Sequence, residues 1–155
     1  MCNQYQNVED SMKEQHALHR GLEDILEGYW LAYEQKDIEK IMKFLPDDGN
    51  ILFIGTGRDE KVESIDEFIR AVKRDFEQSE KMEVELKNFN ADSAGSVAWT
   101  AVDLDAKVTV RGKVLPLFVR FTAVLERIDG SWLFRQMHLS FPSSEQQEGE
   151  SFPVQ

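Results

Sequence analysis

Arg120 sits among Leu117, Phe118, Val119, Phe121 and Val124, a setting in which an unpaired guanidinium is costly to bury. There it suits bidentate anchoring of a carboxylate-bearing ligand at a pocket floor. The competing reading is a structural pair with Asp103 or Glu126, or a salt bridge on a dimer face. His138 ends an apolar run and could act as acid, base or ligand donor near neutral pH. Its alternative is a half-buried histidine satisfied by backbone or by Ser140. Same-strand neighbours seldom align for proton transfer and no nucleophile elbow is present, so a Ser140–His138 catalytic pair is not expected. Asp103 shares a strand face with Trp99 and Ala101 and would be the best general base if that face lined a pocket. Asp105 and Lys107 beside it point instead to a solvated face. Trp99, Phe53, Tyr29 and Tyr33 could line an apolar pocket that the two phenols furnish with hydrogen bonds, or they could simply be core.

Two other groupings carry less. His16, His19 and Glu23 share a helix face, but three scattered donors without a fourth read as a polar stretch rather than a metal site. Gly55-Thr56-Gly57 lacks the third glycine and the following helix of a phosphate loop, so it reads as a turn.

The elements that must position these residues are legible in the periodicity. Val8 to Tyr33 reads as one long amphipathic helix, with Met12, His19, Leu22, Leu26, Tyr29 and Tyr33 on one stripe. Asp37 is an N-cap for a short second helix carrying Ile38, Ile41, Met42, Phe44 and Leu45, which Pro46-Asp47-Asp48-Gly49 stops. A strand spans Ile51 to Ile54. Ser64 and Glu67 have capping-box spacing for a third helix bearing Ile65, Phe68, Ile69, Val72 and Phe76.

From Lys81 the period falls to two. Met82, Val84 and Leu86 face one way, and the strand from Ser96 to Arg111 alternates Ala98, Thr100, Val102 and Leu104 against Val97, Trp99, Ala101 and Asp103. A strand from Val114 to Ile128 follows, then an Asp129-Gly130 hairpin and a last strand from Ser131 to Phe141. Helices followed by a strand meander imply an α+β fold with an antiparallel sheet. Strands longer than the usual ~5 or 6 residues imply strong curvature, hence a concave centre.

The formal net charge of -11 over 155 residues repels phosphate backbones and anionic lipid, which argues against nucleic acid or membrane as partner. Cys2 is the only cysteine, so no intrachain disulfide and no cysteine-based metal cluster can form. With no apolar leader-like segment and no run near the ~20 residues of a membrane span, a cytoplasmic setting is expected.

Several phrases, in order, resemble the nuclear transport factor 2-like superfamily: Tyr29 to Asp37, Pro46-Asp47-Asp48, Val97-Ala98-Trp99, Arg120 to Leu125, Asp129 to Trp132, and Met137 to Ser140. Arg120-x-Thr122 and His138-x-Ser140 look most like its SnoaL-like branch, which is also similar to the association domain of calcium/calmodulin-dependent kinase II. The resemblance implies a cone-shaped roll, closed by three helices around a central pocket, and usually a homodimer through the sheet face. It adds Thr122 to the ligand-binding candidates. It also permits a direct match to ketosteroid isomerase, which needs an Asp base, an oxyanion-hole Tyr and a protonated Asp. Tyr29 falls on the tyrosine, but Phe53 stands at the base and Val124 near the second acid, so that route does not fit.

The expectation is therefore a single domain over residues 1–141 with a flexible acidic tail over 142–155. It would hold a small polar or acidic organic ligand through Arg120, His138, Tyr29, Trp99, Phe53, Tyr33 and Thr122, without metal or cofactor. Alternatives are a cyclase, dehydratase or isomerase moving protons with Asp103 or His138, and an oligomerisation module.

Overall fold

Alternation in the C-terminal half and 3.6-periodicity in the N-terminal half produce, in a computed structural model, an α+β architecture. The structure describes residues 2–153, and the side chains of residues 6–153. Among the described residues three helices and six strands run in the order α1 (Cys2–Glu34), α2 (Ile38–Met42), β1 (Asn50–Ile54), β2 (Lys61–Ser64), α3 (Ile65–Gln78), β3 (Lys81–Ala94), β4 (Val97–Val110), β5 (Lys113–Ile128) and β6 (Ser131–Ser140). The sheet order is β2-β1-β6-β5-β4-β3, a linear array that curls without closing.

Local chemistry sets the boundaries. Asp37 caps α2 by accepting from the Lys40 N–H at 3.0 Å. Ser64 accepts from the Glu67 N–H at 3.3 Å and opens α3. Arg111-Gly112 and Asp129-Gly130 all have positive φ, which matches the two-residue turns whose twist suits an antiparallel hairpin.

Four expectations change. The sheet is not wholly antiparallel, because β1 pairs parallel to β6 through Leu52↔Gln136, Phe53↔Met137 and Ile54↔His138. A parallel neighbour needs a crossover, and the later strands supply it. Strand β2 was not expected; Lys61-Val62-Glu63-Ser64 is too short to show alternation. The second helix ends at Met42, so Phe44 and Leu45 pack from the turn that follows. Helix α1 begins before Val8, yet residues 6–17 are all exposed, Met12 to 65%, because the sheet covers the helix only from Leu18 onward.

The core lies between the concave face of β4–β6 and the helices. Leu22 and Leu26 of α1, Phe68 of α3, Leu104 of β4, Phe121 and Leu125 of β5, and Phe134 and Met137 of β6 are fully or almost fully buried. No helix among the described residues is long and apolar enough to cross a membrane.

Candidate functional site

Inward-facing side chains leave a cavity of about 290 Å³ between the concave sheet face and helices α1 and α3. Its walls are apolar: Phe68 and Val72 from α3, Leu104 from β4, Val119 from β5, Leu139 from β6, and Phe53 from β1. Phe53 packs at a tilt of 57° against Phe68, with ring centroids 5.0 Å apart.

Polar groups collect at one end. Tyr29 and Tyr33, one helical turn apart on α1, both line the cavity, and so do Asp75 of α3 and Glu60 of the β1–β2 loop. The Tyr33 hydroxyl donates to Asp75 Oδ2 at 2.6 Å. Burial pushes the Asp75 carboxyl up from its ordinary range; the Tyr33 bond opposes this and the nearby Glu60 charge reinforces it. Burial likewise raises both tyrosines, with the Asp75 charge adding to the effect. Tyr29 is 2% exposed and packs edge-on against Phe134 at 5.1 Å, yet its hydroxyl makes no hydrogen bond among the described residues.

The rim is built around Glu60. Its carboxylate accepts from Arg74 Nη2 at 2.6 Å and from the Gly57 N–H at 2.8 Å, so it folds back across the turn. A Cβ on Gly55 would lie 2.3 Å from Glu60 Oε2, so only glycine leaves room for that fold. The Gly55-Thr56-Gly57 segment, expected as a turn, is a bend that leads into a turn at Arg58-Asp59, and Gly55 and Thr56 line the cavity. Lys36 Nζ, from the loop after α1, donates to the Phe76 and Ser79 carbonyls at the end of α3 and ties the two helices together beside Asp75.

The expected site residues divide between the two faces of the sheet. Tyr29, Tyr33 and Phe53 line the cavity. Arg120, Thr122, Trp99, Asp103 and His138 do not. In β4 the buried residues are Ala98, Thr100, Val102 and Leu104, so Trp99 and Asp103 point outward. In β5 Val119, Phe121 and Ala123 are buried, which turns Arg120 and Thr122 outward. In β6 a register shift opposite Val124/Leu125 changes the alternation, so Phe134 and Met137 both face inward and His138 faces out.

These outer residues form one neighbourhood. Asp103 lies opposite Arg120, Arg120 opposite Ser140, and Thr122 opposite His138. Asp103 accepts from Asn88 Nδ2 at 2.8 Å, and Glu126 is taken by Arg135 Nε at 2.6 Å, so neither expected ion pair with Arg120 forms among the described residues. The anchor expected for an acidic ligand is thus absent from the cavity, whose charged lining residues are Glu60 and Asp75. His19, one of the three helix-face donors, packs its ring against Phe89 at 4.9 Å.

Asp75 and Glu60 were missed by the residue reading. Asp75 had a signal: it lies seven positions after Phe68 and three after Val72, placing an acid on the apolar stripe of α3. Glu60 had none, because its approach depends on the conformation of the turn.

With this geometry in hand, the chain belongs to the SnoaL-like domain family, whose pattern matches residues 22–144. Among solved structures it is similar to a nuclear transport factor 2-like superfamily protein from Salmonella enterica serovar Typhimurium, with a TM-score of 0.77 at 14% identity over 88% of this chain and 99% of that one. A ketosteroid isomerase-like protein from Erwinia carotovora atroseptica gives a TM-score of 0.65 at 23% identity, covering 78% of this chain and 93% of its own. A chain provisionally described as a calcium/calmodulin-dependent protein kinase II association domain, from Xanthomonas campestris, gives 0.71 at 18%, covering 81% and 88%. At these identities the likeness establishes the fold alone. No curated protein sequence matches significantly.

Proposed function

We propose that this chain is a ligand-binding SnoaL-like domain whose cavity takes a small, mainly apolar organic molecule, and that it works as a homodimer through the outer sheet face. The observation that carries the first part is the Tyr29 hydroxyl, without a partner among the described residues and opening on an apolar cavity beside the Tyr33–Asp75 bond. A polar group that opens on a cavity and has no protein partner is satisfied by something that enters it. The volume of about 290 Å³ lies at the low end of ligand pockets, which suits a molecule of one or two rings.

Support for the second part is the exposed apolar surface of Trp99, Val97, Val114 and Phe118, on the same face as Arg120, Thr122 and His138. Such surface usually marks an interaction site. On this reading Arg120 and His138 serve the contact between subunits.

Native mass spectrometry on gently purified protein tests both parts together. The expected result is a dimer with a small added mass. Trp99→Glu should give monomer that retains the added mass, whereas Tyr29→Phe should keep the dimer and weaken retention. A ligand-free monomer from the unaltered chain would overturn the proposal.

A second reading is an enzyme of the cyclase, dehydratase or isomerase type. The observation in its favour is Asp75, a half-buried carboxyl raised above its ordinary range and hydrogen-bonded to a tyrosine. Asp75 would take a proton from the substrate while the Tyr29 hydroxyl donates to the oxygen that gains charge. Any activity found should then carry a pH limb that Asp75→Asn removes and His138→Gln leaves in place.

A further inference from the structure

We infer that the ligand class suited to this cavity is an apolar amine carried as its cation, the ammonium seated between Asp75, Tyr33 and Tyr29. The inference rests on reading the cavity as a ligand site and adds the chemistry of what enters.

It follows from counting donors and acceptors at the polar end. The charged donors and two of the hydroxyls near it are already committed, while the Tyr29 hydroxyl and the Gln78 amide make no bond among the described residues and Trp30 Nε1 is buried without a partner. The Tyr33 proton goes to Asp75, the Arg74 guanidinium to Glu60, the Ser79 hydroxyl to the Asp75 carbonyl, and the Lys36 ammonium to the Phe76 and Ser79 carbonyls. Around Asp75 itself the open groups are acceptors, the second Asp75 oxygen and the lone pairs of the Tyr33 hydroxyl, with the Tyr29 hydroxyl free to accept or donate beside them. The Tyr29 hydroxyl is the independent sign of a missing partner: the residue is 2% exposed, and its oxygen is unbonded among the described residues.

Charge points the same way. Asp75 has no salt-bridge partner among the described residues, since Arg74 is spent on Glu60 and Asp59. Among the described residues no Arg, Lys or His lines the cavity, so a carboxylate would meet like charge without compensation. An alcohol would supply one proton to several acceptors. An ammonium supplies three protons and the missing positive charge. The rings of Tyr29 and Tyr33 give it aromatic faces, and the walls of Phe68, Leu104, Val119 and Leu139 accept an apolar body. A protein of net charge -11 also draws cations toward its surface.

The test titrates the unaltered chain at neutral pH with three probes of nearly one shape, 2-phenylethylamine, 2-phenylethanol and 3-phenylpropanoate, by calorimetry. The amine should bind about tenfold or more tighter than the alcohol, and the carboxylate weakest, as expected when a charged hydrogen bond replaces a neutral one. In Asp75→Asn, which keeps an oxygen for the Tyr33 donor, the amine should lose about tenfold while the alcohol stays within about twofold. Equal or tighter binding of the alcohol or the carboxylate overturns the amine assignment and leaves the cavity reading standing. Binding by none of the three overturns both. The probe comparison on the unaltered chain decides the matter even if the variant folds poorly.

Discussion

The two faces of the strands β4, β5 and β6 carry opposite chemistry from alternate residues of the same segments. The concave face is apolar apart from Thr100, and the polar groups of its cavity come from outside the sheet, from Tyr29, Tyr33, Asp75 and Glu60. The convex face carries Arg120, His138, Asp103 and Thr122 among exposed apolar side chains such as Trp99. Residue types that suggest catalysis therefore gather where water reaches them, whereas the enclosed space owes its polarity to helices and a loop. A strand can offer a guanidinium to solvent at little cost, but turning it inward would require a buried partner that this core lacks.

The sharpest way to break the contrast is to remove bulk from the concave side. Phe134 is fully buried, and Phe134→Ala should cost about 3–5 kcal/mol, read as a lower midpoint in denaturant unfolding. A loss near 1 kcal/mol would mean that the concave face is loosely packed.

Replacing Gly55 by alanine tests the rim. The new Cβ collides with Glu60 and must displace it from Arg74, so Gly55→Ala should destabilise by about 1 kcal/mol and weaken ligand retention. An unchanged melting curve together with unchanged retention would show that Glu60 has no part in closing the cavity.

Asp75 offers a test through pH. Burial raises its folded-state pKa, so the folded chain holds the Asp75 proton more firmly than the unfolded chain does. Its contribution to stability is thus best at low pH and is lost as pH rises through the folded value. Asp75→Asn should melt above the unaltered chain at neutral pH, and the gap should close on acidification. Tyr33, Tyr29, Glu60 and Arg74 face the same carboxyl and remain unchanged in both proteins. A gap that does not vary with pH would remove Asp75 from the list of perturbed groups.

The smallest effects belong to the convex side. Arg120→Met and His138→Gln should each change folding stability by no more than about 0.5 kcal/mol, since both side chains are exposed. A loss of several kcal/mol in denaturant unfolding of a monomeric form would mean that the convex residues hold the fold together.

Most of the framework could be read from the residues because it rests on local signals. The Ser64 and Asp37 caps, the Asp129-Gly130 hairpin and the alternation of Ala98 to Leu104 each act within a few positions. Those signals also fixed which residues share a face, and they correctly grouped Trp99 with Asp103 and Val102 with Leu104. Tyr29, Tyr33 and Phe53 were legible as cavity candidates because buried aromatics near a concave sheet have few other places to go.

What remained for the tertiary structure was the choice of face. Both sides of β4 carry apolar residues, so local pattern could not say which side the helices would cover. Packing of α1 and α3 decided it, and with it the outward placement of Arg120 and Thr122. The register shift in β6, which sends His138 outward, depends on pairing with β5 across the hairpin. The parallel contact of β1 with β6 joins residues more than 80 positions apart, beyond any local rule. The meeting of Tyr33 with Asp75, 42 positions apart, arises in the same way, from two helices laid on one curved sheet. The sequence by itself determined the elements and the pairing of side chains into faces. Only the folded chain decided which face closes over a cavity, because that depends on contacts between segments far apart in the chain.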